Sequence, residues 1–194
     1  MSDKKISVGG NDPLVRAPDA RAGKKWGGEI FYTWAIALLL CVLPALVYGA
    51  AFPAGFLLIA VVVFGLPTGL FALLVKDNVW KASLWRRLAV LGSISLITFT
   101  AVIQTDKLTP SLATPIVEAI EQYYIDTATY PVALSDLSPR YLAESPVVRV
   151  AIRQPPISYA IRDGRPRLVI PSGSGDAFAN YEYDFAAKVW VNNH

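Results

Sequence analysis

The chain has 194 residues, 54% of them hydrophobic, with a mean hydropathy of +0.41 and a formal net charge of +3. The basic excess belongs to one half: residues 1–105 hold ten Lys/Arg and five Asp/Glu, residues 106–194 eight and ten. That split excludes a nucleic-acid-binding face in the second half. The one cysteine, Cys41, excludes a disulfide within the chain, and the one histidine, His194, excludes histidine-based catalytic and metal clusters.

Residues 1–29 are polar and glycine-containing, without helical or strand periodicity, and are expected to form a disordered cytoplasmic tail. An uncharged run of 46 residues then extends from Ile30 to Val75. A bilayer core needs about 20 helical residues, so this run holds two crossings, about 30–50 and 55–75. The connection "VYGAAFPAGF" (Val47–Phe56) has Gly49, Pro53 and Gly55 where a helix should break. A further uncharged run, Leu88–Thr105, predicts a third crossing over about 86–105, which Leu84 and Trp85 can lengthen. The first run starts too late and is too long for the apolar core of a cleaved leader. All three lack the polar stripe of a helix in a soluble core.

Basic residues set the orientation. Lys4, Lys5, Arg16, Arg21, Lys24 and Lys25 precede the first crossing, and Lys76, Lys81, Arg86 and Arg87 fill the second connection. The first connection carries no charge. Positive segments stay on the cytoplasmic side, so the N-terminus is expected inside and everything after the third crossing outside. Trp26, Trp34, Trp80 and Trp85 fall near the crossing ends, where interfacial aromatics belong. Neither uncharged run contains Asp, Glu, Lys, Arg or His, which argues against a proton or ion pathway. An anchor or a docking surface for another membrane protein is the remaining role. Pro44, Gly65 and Pro67 are candidate kinks. Cys41 reads as a small packing residue, and Gly92, Ser93 and Ser95 as helix-contact or lipid-facing positions.

Residues 106–194 read as a small α+β domain. In "TPSLATPIVEAIEQYYIDTATYP", Thr114 is placed as N-cap and Pro115 in the first turn of a helix. Ile116, Ile120, Tyr123 and Thr127 form its apolar face, and the helix should stop before Pro131. A short turn, "SDLSPRYL", follows, with Ser135 or Asp136 as cap. "PVVRVAIR" (Pro146–Arg153) carries strand signals. "ISYAIRDGRPRLVIP" reads as a hairpin about Asp163-Gly164, and "YEYDFAAKVWVN" as a second, with Tyr181, Tyr183 and Phe185 on one face. The expected fold is three transmembrane helices followed by one helix packed on a three- or four-stranded antiparallel meander.

The stretch "AIEQYYIDTATYPVALSDLSPRYL" resembles the post-helix motif of type IV pilin-like proteins, above all the major pseudopilin of type II secretion. Tyr123, Tyr130, Pro131, Leu134, Leu137, Pro139, Tyr141 and Leu142 carry the likeness, followed by Tyr159, Asp163-Gly164, Tyr183, Asp184, Phe185 and Trp190. It runs from Thr114 to Asn192. The family has one N-terminal hydrophobic helix, processed after a glycine, with a glutamate five residues later. Here Glu29 directly follows Gly28, and three crossings precede the domain, so filament packing of the usual kind is not expected. Ala128 stands where the family typically has a glycine before Tyr-Pro.

The resemblance implies a non-catalytic, multi-pass protein of the bacterial inner membrane with a periplasmic pilin-like domain, accessory to type IV pilus or type II secretion assembly. Its partners are membrane lipid and other envelope proteins: a pilin, a pseudopilin or a secretion component. Tyr124, Tyr141, Tyr159, Tyr181 and Trp190 are candidate contact aromatics, with core burial as the alternative for each. Some pseudopilins bind calcium in the terminal meander, and Asp176, Asn180 and Asp184 are the corresponding oxygen donors here. Calcium takes six to eight oxygens, and a solvated turn is the competing reading; no cofactor is expected. A second functional reading is an envelope sensor with Arg149, Arg153, Arg162, Arg165 and Arg167 along one side of the meander. A third, a membrane-bound hydrolase using Ser172 or Ser174, lacks a base and a nucleophile-elbow context.

Overall fold

The computed structural model describes residues 20–142, 146–174, 176 and 178–193. The first helical passage comprises α1 (Ala20–Ala37), a π-helical turn at Leu38–Val42, and α2 (Leu43–Tyr48). The second comprises α3 (Phe52–Ala60), a π-helical turn at Val61–Gly65, and α4 (Leu66–Ala72). α5 (Asn78–Asp106) follows, and only Lys107 and Leu108 separate it from α6 (Thr109–Thr127). Among the described residues, three helical stretches are long and apolar enough to cross a membrane: Ile30–Tyr48, Phe52–Ala72 and Asn78–Thr127.

Several sequence-based boundaries move. The expected tail over 1–29 gives way to helix at Ala20, while residues 1–19 lie outside the described residues. The helix that carries the third uncharged run starts at Asn78, ahead of the crossing expected over about 86–105. Asp77 caps it by accepting from the amides of Val79 and Trp80 at 2.9 and 3.1 Å, a local signal that the hydropathy reading passed over.

Both π turns sit directly before a proline-containing helix. Pro44 and Pro67 cannot donate a backbone bond, and their rings crowd the carbonyl four residues back. The chain widens by one residue to accommodate them: the amides of Leu43 and Leu66 reach the carbonyls of Leu38 and Val61, five residues behind. The second passage packs antiparallel on α5 through its glycines. A Cβ at Gly55 would stand 3.1 Å from Phe99, one at Gly65 2.5 Å from Leu88, and one at Gly69 3.0 Å from Trp85. Small residues here let side chains of the facing helix close the gap. On the first passage, buried Cys41 lies 3.6 Å from buried Ser95 of α5. Both are packing residues; Ser93 is exposed.

The domain helix begins at Thr109, not at Thr114. Pro110 takes the first-turn position, and Pro115 lies inside the helix. An interior proline is tolerated because the buried face on either side of it, Ala113, Ile116, Val117 and Ile120, is fixed by tertiary packing. α6 ends at Thr127, and Ala128 closes it in the left-handed conformation (φ 57°), donating to the Tyr124 carbonyl. A 3₁₀ turn, Leu134–Leu137, follows, and Asp136 caps it by accepting from the amides of Val132 and Ala133.

Four antiparallel strands form a meander in the order β1 (Ser158–Arg162), β2 (Arg165–Pro171), β3 (Asn180–Asp184), β4 (Val189–Asn193). Asp163 and Gly164, both at positive φ, close the β1–β2 hairpin where Arg162 pairs with Arg165. One sheet face places Leu168 and Ile170 against Ile116, Ile120, Leu137 and Val148. Tyr183, Phe185, Tyr130 and Trp190 extend this core as edge-to-face ring pairs. Pro146–Arg153 is not a strand. Its amides are claimed elsewhere: the Gln154 side chain accepts from Val148 and Arg149, while Ile152 and Arg153 donate to the carbonyls of Leu46 and Val47.

Candidate functional site

The end of the helical bundle and the inner side of the domain meet at one buried carboxylate. Asp106 is the last residue of α5, the first acid after the uncharged run, and only 4% exposed. Its Oδ1 accepts from the Gly173 amide at 2.8 Å and from the Thr109 hydroxyl at 3.4 Å. Its Oδ2 accepts from the Ser172 hydroxyl at 2.6 Å and the Tyr181 hydroxyl at 3.2 Å. The Arg149 guanidinium approaches to 3.6 Å and also donates to the Pro171 carbonyl. A buried charge must be paired and hydrogen-bonded to be tolerated, and Asp106 has both.

The junction is closed by backbone as well. The Ala51 amide, in the turn between the first two passages, donates to the Gly173 carbonyl at 2.9 Å. A Cβ on Gly173 would collide with the Gly49 carbonyl, and one on Gly49 with the Arg149 stem. Gly49 is left-handed (φ 61°), so this turn requires glycine on two grounds. The turn, the C-terminal end of α5, the loop after β2 and the Arg149 segment therefore form one packed joint. Burial pulls the Arg149 guanidinium below its ordinary pKa, partly offset by Asp106. Burial first, then the Asp106 charge, pushes the Tyr181 phenol up to about 12.

The sequence-derived site residues disperse. Tyr181 is buried and donates to Asp106, so it is interior and not a surface contact. Tyr159 donates to the Pro131 carbonyl, and burial pushes it to about 12 as well. Tyr141 packs edge-on against Tyr123 and donates to Asp126. Trp190 packs on Tyr183. Tyr124, stacked on Tyr130 at 4.4 Å, is the exposed member of the five, next to exposed Ile125.

Asp176 and Asp184 each cap a local turn, accepting from Phe178 and from Ala186 and Ala187 respectively. The length of β3, about 13 Å, lies between Asn180 and Asp184, and Asn180 instead bonds the Phe178 carbonyl and Asn193. These three do not converge; Gly175 and Ala177 of the same loop lie outside the described residues.

The five arginines do not line one side. Arg149 enters the joint, and Arg153 lies over the Tyr48 ring. Arg162, Arg165 and Arg167 border a groove of about 520 Å³ that Tyr130, Tyr183 and Phe185 also line. In that groove Arg167 forks onto Glu182, which holds the carboxyl below its usual range. Asp106 went unnoticed in the sequence; its signal was an acid placed immediately after eighteen uncharged residues. Comparison with family models, with curated proteins and with solved structures finds no match.

Proposed function

We propose that this chain is a non-catalytic membrane protein that holds a small α+β head rigidly at the outer end of a three-helix anchor, presenting it to another envelope protein. The supporting observation is the Asp106 joint: three long-range hydrogen bonds, from Ser172, Gly173 and Tyr181, and an ion pair with Arg149 fix the head to the end of α5. The basic N-terminal segment and second connection support a cytoplasmic N-terminus and an outside, periplasmic head in a bacterial inner membrane. The pilin-like motif supports a pilin, pseudopilin or secretion component as the partner. Tyr124 and Ile125, exposed near the far end of α6, are the presenting surface, because the joint holds that end away from the bundle.

The test is site-specific photocrosslinking from positions 124 and 125 in intact cells, with position 161 on β1 as a second reporter. Capture of a pilus or secretion component supports the assignment. A chain that captures none of these, and whose deletion leaves pili and secretion unchanged, overturns it.

A further inference from the structure

The segment Val148–Gln154 has two unusual properties for a connection between a 3₁₀ turn and a sheet. Most of its backbone amides are hydrogen-bonded within the protein. The amides of Val148 and Arg149 donate to the Gln154 side-chain oxygen, and its Nε2 donates back to the carbonyls of Arg149 and Ala151. Ala151 donates to the Arg149 carbonyl, Ile152 to Leu46 and Arg153 to Val47. Yet its apolar side chains are turned outward: Val150 is 54% and Ile152 77% exposed.

The carbonyls of Leu46 and Val47 belong to the last turn of the first crossing, where a helix leaves acceptors without intrahelical donors. In water such acceptors need no protein partner; in a water-poor layer each requires one. The segment supplies both. Leu46 lies two residues, about 3 Å, inside the end of the Ile30–Tyr48 span, so Ile152 is held at the depth of that last turn. Beside it, Leu46, Tyr48 and Phe52 are themselves exposed on the bundle. Arg153 places its guanidinium 5.6 Å from the Tyr48 ring centroid, an aromatic–cation pair of the type that sits at headgroup level.

We infer that Val150–Arg153 is a membrane-contact loop: Val150 and Ile152 enter the outer-leaflet interface of the bilayer, continuing the lipid-facing surface of the first crossing, and Arg153 meets lipid phosphate. This rests on the reading of the three helices as membrane-spanning. The loop gives the head a second attachment to the bilayer beside the Asp106 joint, limiting its tilt.

The test uses the full chain with Cys41→Ala in single-copy nanodiscs, labelled with an environment-sensitive fluorophore at one introduced cysteine: Ile152→Cys, Leu46→Cys, Leu39→Cys or Val132→Cys. Val132 is 82% exposed and lies beyond the far end of α6, so it reports water. With lipids carrying a quencher near the glycerol, the Ile152 label should lose emission as strongly as the Leu46 label, while the Val132 label loses none. An Ile152 label that behaves like the Val132 label overturns the inference, as does one shielded from water but untouched by the lipid quencher. In parallel discs whose lipids carry the quencher near the acyl-chain end, the Leu39 label separates the two levels of claim: quenched there, while the Ile152 label is not quenched by the glycerol-level lipid, it leaves the spanning reading intact and removes the loop alone. Unquenched, it removes both. Hydroxyl-radical footprinting of the unmutated chain, with Ile152 protected relative to Val132, gives the same answer without an engineered cysteine.

Discussion

The Asp106 carboxylate stands 3.6 Å from the Arg149 guanidinium, with the two side chains only 5% and 8% exposed. One sits at the end of a long apolar helix, the other in a loop between a turn and a sheet, and no local pattern pairs them. Removing one partner of a buried ion pair leaves an unpaired charge and typically costs about 3–5 kcal/mol. Asp106→Ala should lose that much, because the Ser172, Gly173 and Tyr181 donors are orphaned with it. Asp106→Asn should cost less, since an amide oxygen still accepts. Asp106→Asn with Arg149→Met should cost less than the sum of the two single changes. Equilibrium unfolding of the detergent-solubilised chain measures all three.

Gly173→Ala should be more damaging than Gly164→Ala. At Gly173 the new methyl meets the Gly49 carbonyl, a backbone atom that no rotamer change can move. Overpacking of this kind costs about 1–3 kcal/mol. At Gly164 (φ 73°) nothing lies within 4 Å, so only left-handed backbone strain is added, about 1–2 kcal/mol. Limited proteolysis distinguishes them further, since only the first change should loosen the head from the bundle and expose the loop after β2.

Ala128 closes α6 at φ 57° without the glycine this position favours. A left-handed alanine costs about 1–2 kcal/mol, and a glycine adds unfolded-chain entropy of about 0.4–1 kcal/mol. The first effect is larger, so Ala128→Gly should raise stability by about 0.5–1 kcal/mol. A lower midpoint would mean that the C-cap is held by contacts of the alanine methyl.

Tyr159 and Tyr181 both have phenols pushed up from 10.0 to about 12, mainly by burial. The folded state then holds its protons more tightly than the unfolded state between those values. Their contribution is complete below about pH 10 and is lost as the pH rises towards about 12. The denaturation midpoint should therefore fall across that window, and Tyr159→Phe with Tyr181→Phe should flatten the fall. Equal slopes for both proteins would remove the tyrosines as its source.

The Arg167–Glu182 fork, with side chains 43% and 26% exposed, belongs to a solvent-screened surface. Arg167→Gln should change stability by no more than about 1 kcal/mol. Glu182 is held below its usual range by Arg167, so the small contribution is present above about pH 4.5 and disappears on acidification. Thermal midpoints at neutral and acid pH read this directly.

The helical passages, the Asp163-Gly164 hairpin and the second hairpin were legible because each rests on local signals: charge-free length, a positive-φ dipeptide, alternation with period two. The apolar side of α6 was legible for the same reason, through Ile116 and Ile120. Where local signals competed, the reading slipped. Pro115 looked like a helix start because a proline suits that position, but Pro110 occupied it first. Pro146–Arg153 alternates in places like a strand, but Gln154 and the end of the first helical passage take its hydrogen bonds.

By itself, the sequence determined which segments are able to leave water, since charge and hydropathy are additive along the chain and need no partner. It also determined where the two hairpins turn. Only the tertiary structure decided what Asp106 and Tyr181 are for, because a carboxylate's role depends on which donors reach it and whether water does. Thr109 is close because it lies three residues on in sequence, but Arg149, Ser172, Gly173 and Tyr181 come near only once the head has docked on the bundle.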